Sequence, residues 1–177
     1  KEDNCTGKYW EGRYKSQALL DETAVLSCMA YVDLNPIRAN IADTLEDSDF
    51  TSIQERIAHF KAFTTDTVKA NKPLKQKDTV QHESQPAQLK QFGGNHIKGT
   101  IPFALLDYIE LVDWSGRQID PKKKGHINKT MPKVLLTLNI EEAQWLESIQ
   151  RFRQQYSNFA GSKQRLKQQA ASNDVKW

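Results

Sequence analysis

Asn35-Pro36 closes a stretch that otherwise reads as uninterrupted helix, residues 21–40, DETAVLSCMAYVDLNPIRAN. A residue that precedes proline is pushed out of the α region, so the helix must stop there. Its start is equally marked. Asp21 can accept from the free amides of a first turn, and Glu22 adds favourable charge at the same end. Between them Val25, Leu26, Cys28, Met29 and Val32 recur at helical spacing and predict an apolar face. Tyr31 and Asn35 are four apart, which brings a phenol oxygen and an amide oxygen together near the helix end. That pair is the leading candidate for chemistry.

The flanking segments extend the pattern. In residues 9–20 Trp10, Tyr14 and Ser16 alternate with Glu11, Arg13, Lys15 and Gln17, which predicts a half-buried strand. A lone strand is not stable. Residues 37–49 are acidic and loop-like. Asp49 or Thr51 can cap a second helix over 52–63, with Ile53, Ile57, Phe60 and Phe63 on its apolar side. His59 lies beside that stripe and reads as a surface or packing residue, since no partner ligand is near it.

Two motifs here resemble a known family. Trp10-Glu11-Gly12-Arg13-Tyr14-Lys15-Ser16 and Ala30-Tyr31-Val32-Asp33-Leu34-Asn35-Pro36-Ile37-Arg38-Ala39 are similar to segments of the REP-associated tyrosine transposases. These are single-tyrosine, HUH-type enzymes related to the insertion-sequence-200 transposases. Asp49-Phe50-Thr51-Ser52-Ile53 is similar to a further family segment. The resemblance covers about residues 8–57, and more weakly 102–124, which looks like an extension of longer proteobacterial members. It implies that Tyr31 is the nucleophile, that Asn35 helps hold a magnesium or manganese ion, and that residues 1–63 close an α+β, ferredoxin-like catalytic domain. It also implies a bacterial, cytoplasmic enzyme of DNA transposition that binds single-stranded or hairpin DNA, as a monomer or homodimer. The family metal site requires two histidines separated by one hydrophobic residue. His59, His82, His96 and His126 offer no such pair. The expectation is therefore a C-terminal part of a transposase, with the main metal ligands in a preceding half, and with no activity of its own.

Phosphotyrosine chemistry suits a tyrosine in this role, because the covalent intermediate keeps the bond energy for rejoining. Arg13, Lys15 and Arg38 flank the tyrosine and can neutralise phosphates, as can Lys122, Lys123 and Lys124 further on. A solvated surface is the ordinary alternative for each.

Residues 64–99 change composition. They are rich in Lys, Gln, Thr, Ser and Asp, with Pro73, Pro86 and Gly93-Gly94, and predict a linker. From Pro102 a second unit begins. Phe103, Leu105, Leu106, Ile109, Leu111, Val112 and Trp114 predict a helix ended by Ser115-Gly116. Val134, Leu135, Leu136 and Leu138 predict another after Pro132. Trp145, Ile149, Phe152, Tyr156 and Phe159 predict a third over 141–159. Trp114 and Trp145 read as core anchors. The tail from Gly161 carries Lys163, Arg165, Lys167 and Lys176, which could touch DNA distally. The chain as present thus reads as mainly α, residues 100–177 being a small helical bundle.

Composition limits the other classes. A hydrophobic content of 38% and a net charge of +3 fit a chain with solvated segments and only mild basicity. No apolar run approaches the ~20 residues of a membrane span. Cys5 and Cys28 fit neither a metal spacing nor a disulfide framework, which points to a reducing compartment. Two other functions fit the same residues. One is a non-catalytic DNA-binding or regulatory remnant of such an enzyme. The other is a helical protein-interaction module in which Tyr31 is structural.

Overall fold

A computed structural model describes residues 16–69, 85–94, 97–119 and 131–172. The described residues are mainly helical, with one small two-stranded sheet among them. In order, the elements are β1 (Ala18–Leu19), α1 (Glu22–Asp33), α2 (Asn35–Arg38), α3 (Ser52–Lys69), α4 (Leu105–Ile119), α5 (Lys133–Thr137), α6 (Glu142–Gln150), α7 (Phe152–Gln155), β2 (Phe159–Ala160) and α8 (Lys163–Ser172). Among the described residues no helix is long and apolar enough to cross a membrane.

The start of α1 is as its sequence predicts. Asp21 is extended and its Oδ1 accepts from the Ala24 amide at 2.9 Å. The helix breaks at Leu34, one residue before the expected stop. Pro36 then sits in the first turn of α2, where its missing N–H costs nothing.

The buried face of α1 differs from the expected apolar stripe. Ala24, Leu26, Ser27, Ala30 and Asp33 are buried, while Val32 is 51% exposed. Small side chains let α6 approach closely, and the Ser27 and Ser148 hydroxyls meet at 3.4 Å where the helices touch. Size-weighted hydrophobicity overlooks a face built on alanine and serine.

Three other boundaries move. Helix α3 continues past Phe63 to Lys69, into the expected linker. Helix α4 runs through Ser115-Gly116 to Ile119. A Cβ on Gly116 would lie 3.2 Å from Leu34 Cδ2, so this glycine serves close helix packing rather than a stop. The long helix expected over 141–159 breaks at Arg151 and ends at Gln155. Tyr156 is extended, and the chain enters β2. Strand β2 pairs in parallel with β1, Ala18 against Phe159 and Leu19 against Ala160. Among the described residues the partner of β1 therefore comes from the C-terminal segment. Of the strand expected over 9–20, residues 9–15 lie outside the described residues and only Ala18–Leu19 of the rest is extended into a sheet.

One core cluster gathers Leu26, Ala30 and Leu34 of α1 and its break, Ile53 and Ile57 of α3, and Leu111 and Val112 of α4. Trp145 and Ile149 of α6 join it. Phe92, from the expected linker, is 1% exposed and belongs to the same cluster. Trp114 and Trp145 are both buried, as anchors of this core.

Candidate functional site

The break at Leu34 determines the site. It ends α1 just past Tyr31 and opens α2 with Asn35, so that Arg38 folds back over the end of α1. The Arg38 guanidinium carbon lies 4.0 Å from the centre of the Tyr31 ring, a cation–π contact. Arg38 Nη2 donates to Asn35 Oδ1 and, at 3.4 Å, to the Tyr31 carbonyl. Arg38 Nη1 donates to the carbonyls of Ile149 at 3.2 Å and Gln150 at 3.5 Å. These are the last carbonyls of α6, where a cation also meets the negative end of the helix dipole. Tyr31, Asn35 and Arg38 are thus brought together, with Arg38 as the link between phenol and amide.

Phe152 supports the other side of Tyr31. Its ring is 5.6 Å from Tyr31 and 5.1 Å from Tyr156. Tyr31 is half-buried, and among the described residues nothing hydrogen-bonds its hydroxyl. Cys28 packs in the same cluster, and burial raises its thiol pKa, which disfavours the thiolate.

A second polar constellation lies inside the core, and sequence reading missed it. Asp33 is 1% exposed. Its carboxylate accepts from the Tyr108 hydroxyl at 2.6 Å, the Ser52 hydroxyl at 3.1 Å and the Ile53 amide at 3.3 Å. Asp33 therefore caps α3 from another helix. Burial, the largest influence, raises its pKa, while these bonds and the Arg56 charge pull it down. The Tyr108 hydroxyl is held well above its ordinary range by burial and by Asp33. Arg56 completes the group. It is 2% exposed, donates to the Lys90 carbonyl at 2.8 Å and lies 4.7 Å from the Phe92 ring centre. Nothing in the spacing of Asp33 and Tyr108 signals their pairing. The one sequence cue is an acid on the inward side of α1.

The other expected positions divide in two. Arg13, Lys15, Lys122, Lys123 and Lys124 lie outside the described residues. His59 is exposed on α3. Among the described residues no three His, Cys, Asp or Glu side chains gather as a metal-binding set. Asn35 Oδ1, the expected ligand, faces the Arg38 guanidinium, whose charge would repel a divalent ion. The described residues by themselves do not fit a metal.

No protein-family model, no curated protein and no solved structure matches this chain.

Proposed function

We propose that this chain is the nucleophile-bearing part of a transposase that cleaves and rejoins single-stranded DNA. In this reading β1 and α1 close a ferredoxin-like catalytic domain of the REP-associated tyrosine type. The observation that carries it is the meeting of Tyr31, Asn35 and Arg38 at the α1–α2 break, within the segment that resembles that family.

The chemistry follows from these side chains. The Tyr31 hydroxyl oxygen attacks phosphorus, and the phenolic proton passes to solvent. An O–P bond forms, the bond from phosphorus to the 3′ oxygen breaks, and that oxygen takes up a proton as a free 3′-hydroxyl. The DNA downstream is left joined to Tyr31 through its 5′ phosphate, and attack by a 3′-hydroxyl reverses the step. Arg38 carries a permanent charge and a planar set of donors suited to phosphate oxygens. Exchanging its Asn35 partner for the scissile phosphate would stabilise charge that develops in the transition state. The magnesium or manganese ion of the family would take its ligands from outside the described residues.

One observation favours a second reading. Arg38 already bonds two α6 carbonyls and Asn35, which suits a structural clip in a DNA-binding protein without catalysis. A single assay separates the two. Protein from the full reading frame is incubated with magnesium or manganese and a hairpin-bearing single strand labelled at its 3′ end. We expect a labelled protein band that survives denaturing electrophoresis, and none for Tyr31→Phe. Binding without any adduct selects the second reading. An adduct that Tyr31→Phe forms equally well would falsify the nucleophile assignment.

A further inference from the structure

We propose that residues 151–172, which leave α6 and run back across α1, form the surface that grips single-stranded DNA and leads it to Tyr31. The reading above supplies what the strand is led to. The grip itself rests on charge and placement.

The charge is concentrated. Arg151, Arg153, Lys163, Arg165 and Lys167 fall in this segment, and no Asp or Glu does. The whole chain carries only +3, so the remainder is net acidic. All five cations are exposed. Arg151 has a loose surface pair with Glu147 at 3.8 Å, and among the described residues the other four have no ion pair. Helix α8 buries none of its side chains, so core packing does not account for its sequence. Lys163 and Arg165 stand at its N-terminal end, where the helix dipole is already positive. That arrangement costs stability and pools positive potential, which suits a polyanion.

The placement is fixed by backbone and side chain together. The Ala18 amide donates to the Asn158 carbonyl at 2.9 Å, and the Leu20 amide to the Ala160 carbonyl at 2.8 Å. The Ser162 amide donates to Asp21 Oδ2 at 2.7 Å. These bonds hold α8 beside the start of α1, while Phe152 packs on Tyr31 near its end. The segment therefore spans the length of α1, 12 residues or about 18 Å at ~1.5 Å per residue. The basic tail, which is remote from Tyr31 in sequence, is held at the other end of the same helix in the fold. Single-strand grooves pair such cations with aromatic faces. Tyr156, half-buried beside Phe152, is the aromatic of this segment that a base can reach, since Tyr31 already carries Arg38 and Phe152 against its ring. A duplex, with its bases stacked inward, makes no use of it.

The test measures fluorescence anisotropy of a labelled hairpin-bearing single strand with the 177-residue chain across a salt series. One variant combines Arg153→Gln, Lys163→Gln, Arg165→Gln and Lys167→Gln. A second removes the same charge elsewhere, through Lys61→Gln, Lys90→Gln, Lys98→Gln and Lys133→Gln, all exposed positions. Thermal melting checks that both are folded. We expect the first to bind at least tenfold more weakly near 0.1 M salt, its log–log salt slope falling by about 0.7 for each phosphate that is no longer neutralised. The second should change less than threefold. Equal weakening in the two variants, no binding by the parent chain, or equal affinity for a blunt duplex would each overturn the proposal. The adduct assay is independent. Arm-dependent binding with no adduct keeps this surface and removes the transposase reading. An adduct with an unchanged arm slope does the reverse.

Discussion

At the scale of single residues, Asp33 and Arg38 show how one short segment serves both stability and the site. They lie five positions apart, yet Asp33 turns inward to Tyr108 and Ser52 while Arg38 folds over Tyr31. Removing the Asp33 carboxylate strands a buried hydroxyl, an amide and the charge of Arg56. Asp33→Ala should cost about 3–5 kcal/mol, the range for breaking a buried charged network. Its pH dependence has a definite sign. Because burial raises the folded pKa, the native state holds the Asp33 proton more tightly than the unfolded chain does. That contribution is complete below the unfolded value, about 3.9, and is lost as pH rises through the folded one. Asp33→Asn cannot ionise, so the stability of the parent relative to this variant should fall as pH rises above about 4. Urea unfolding of both between about pH 3 and 7 measures this. A difference that grows with pH would mean that the bonds outweigh burial.

At the scale of elements, the ends of α1 were legible in sequence because caps and proline act through local backbone chemistry. Asp21 capping needed no knowledge of the rest of the chain. The same carboxylate also accepts from Ser162, which sequence could not indicate, since that bond joins residues 141 apart. The two roles can be separated. Asp21→Asn keeps a capping oxygen for Ala24 but replaces an acceptor facing Ser162 with a donor. Asp21→Ala removes both. We expect Asp21→Ala to cost about 1–2 kcal/mol, and Asp21→Asn less, since Asn caps as well as Asp. In both, amide exchange should accelerate at Leu20 and Ser162 before it does in α6. Protection that persists at Ser162 in Asp21→Asn would show that β1–β2 pairing holds this region without the carboxylate. The boundaries that sequence missed are those set by tertiary packing. Gly116 stays helical because Leu34 needs its space, and the helix expected to reach Phe159 breaks where Phe152 packs against Tyr31.

At the scale of the molecule, composition pointed to two units joined by a linker over 64–99, but the core includes both sides. Phe92 is the reason this was hidden. It is a single aromatic among polar residues, yet it stacks on Tyr108 at 5.0 Å. Gln85 secures it, donating Nε2 to the Phe92 carbonyl at 2.8 Å and accepting from its amide at 2.7 Å. A buried glutamine that pairs with backbone looks like linker in a hydropathy profile and behaves like a strand neighbour. Helix α4 then packs against Leu34 and Ile37 through Gly116 and bonds to Asp33 through Tyr108. An apolar deletion on one side should therefore be felt on the other. Leu26→Ala and Leu111→Ala, each at a side chain with no exposure, should each cost about 2–5 kcal/mol. Each should move one transition, seen at the same denaturant concentration by far-ultraviolet circular dichroism and by tryptophan fluorescence. With Trp10 replaced by Phe in parent and variant, the remaining tryptophans, Trp114 and Trp145 among them, follow Leu26 beyond residues 64–99 in the sequence, so a shared shift in Leu26→Ala requires energetic coupling through the core. By the same argument a fragment of residues 100–177 lacks Leu26, Ala30, Leu34, Ile53 and Phe92, against which α4 and α6 pack. It should melt without a cooperative transition, and a sharp independent melt of that fragment would show that the bundle supports itself.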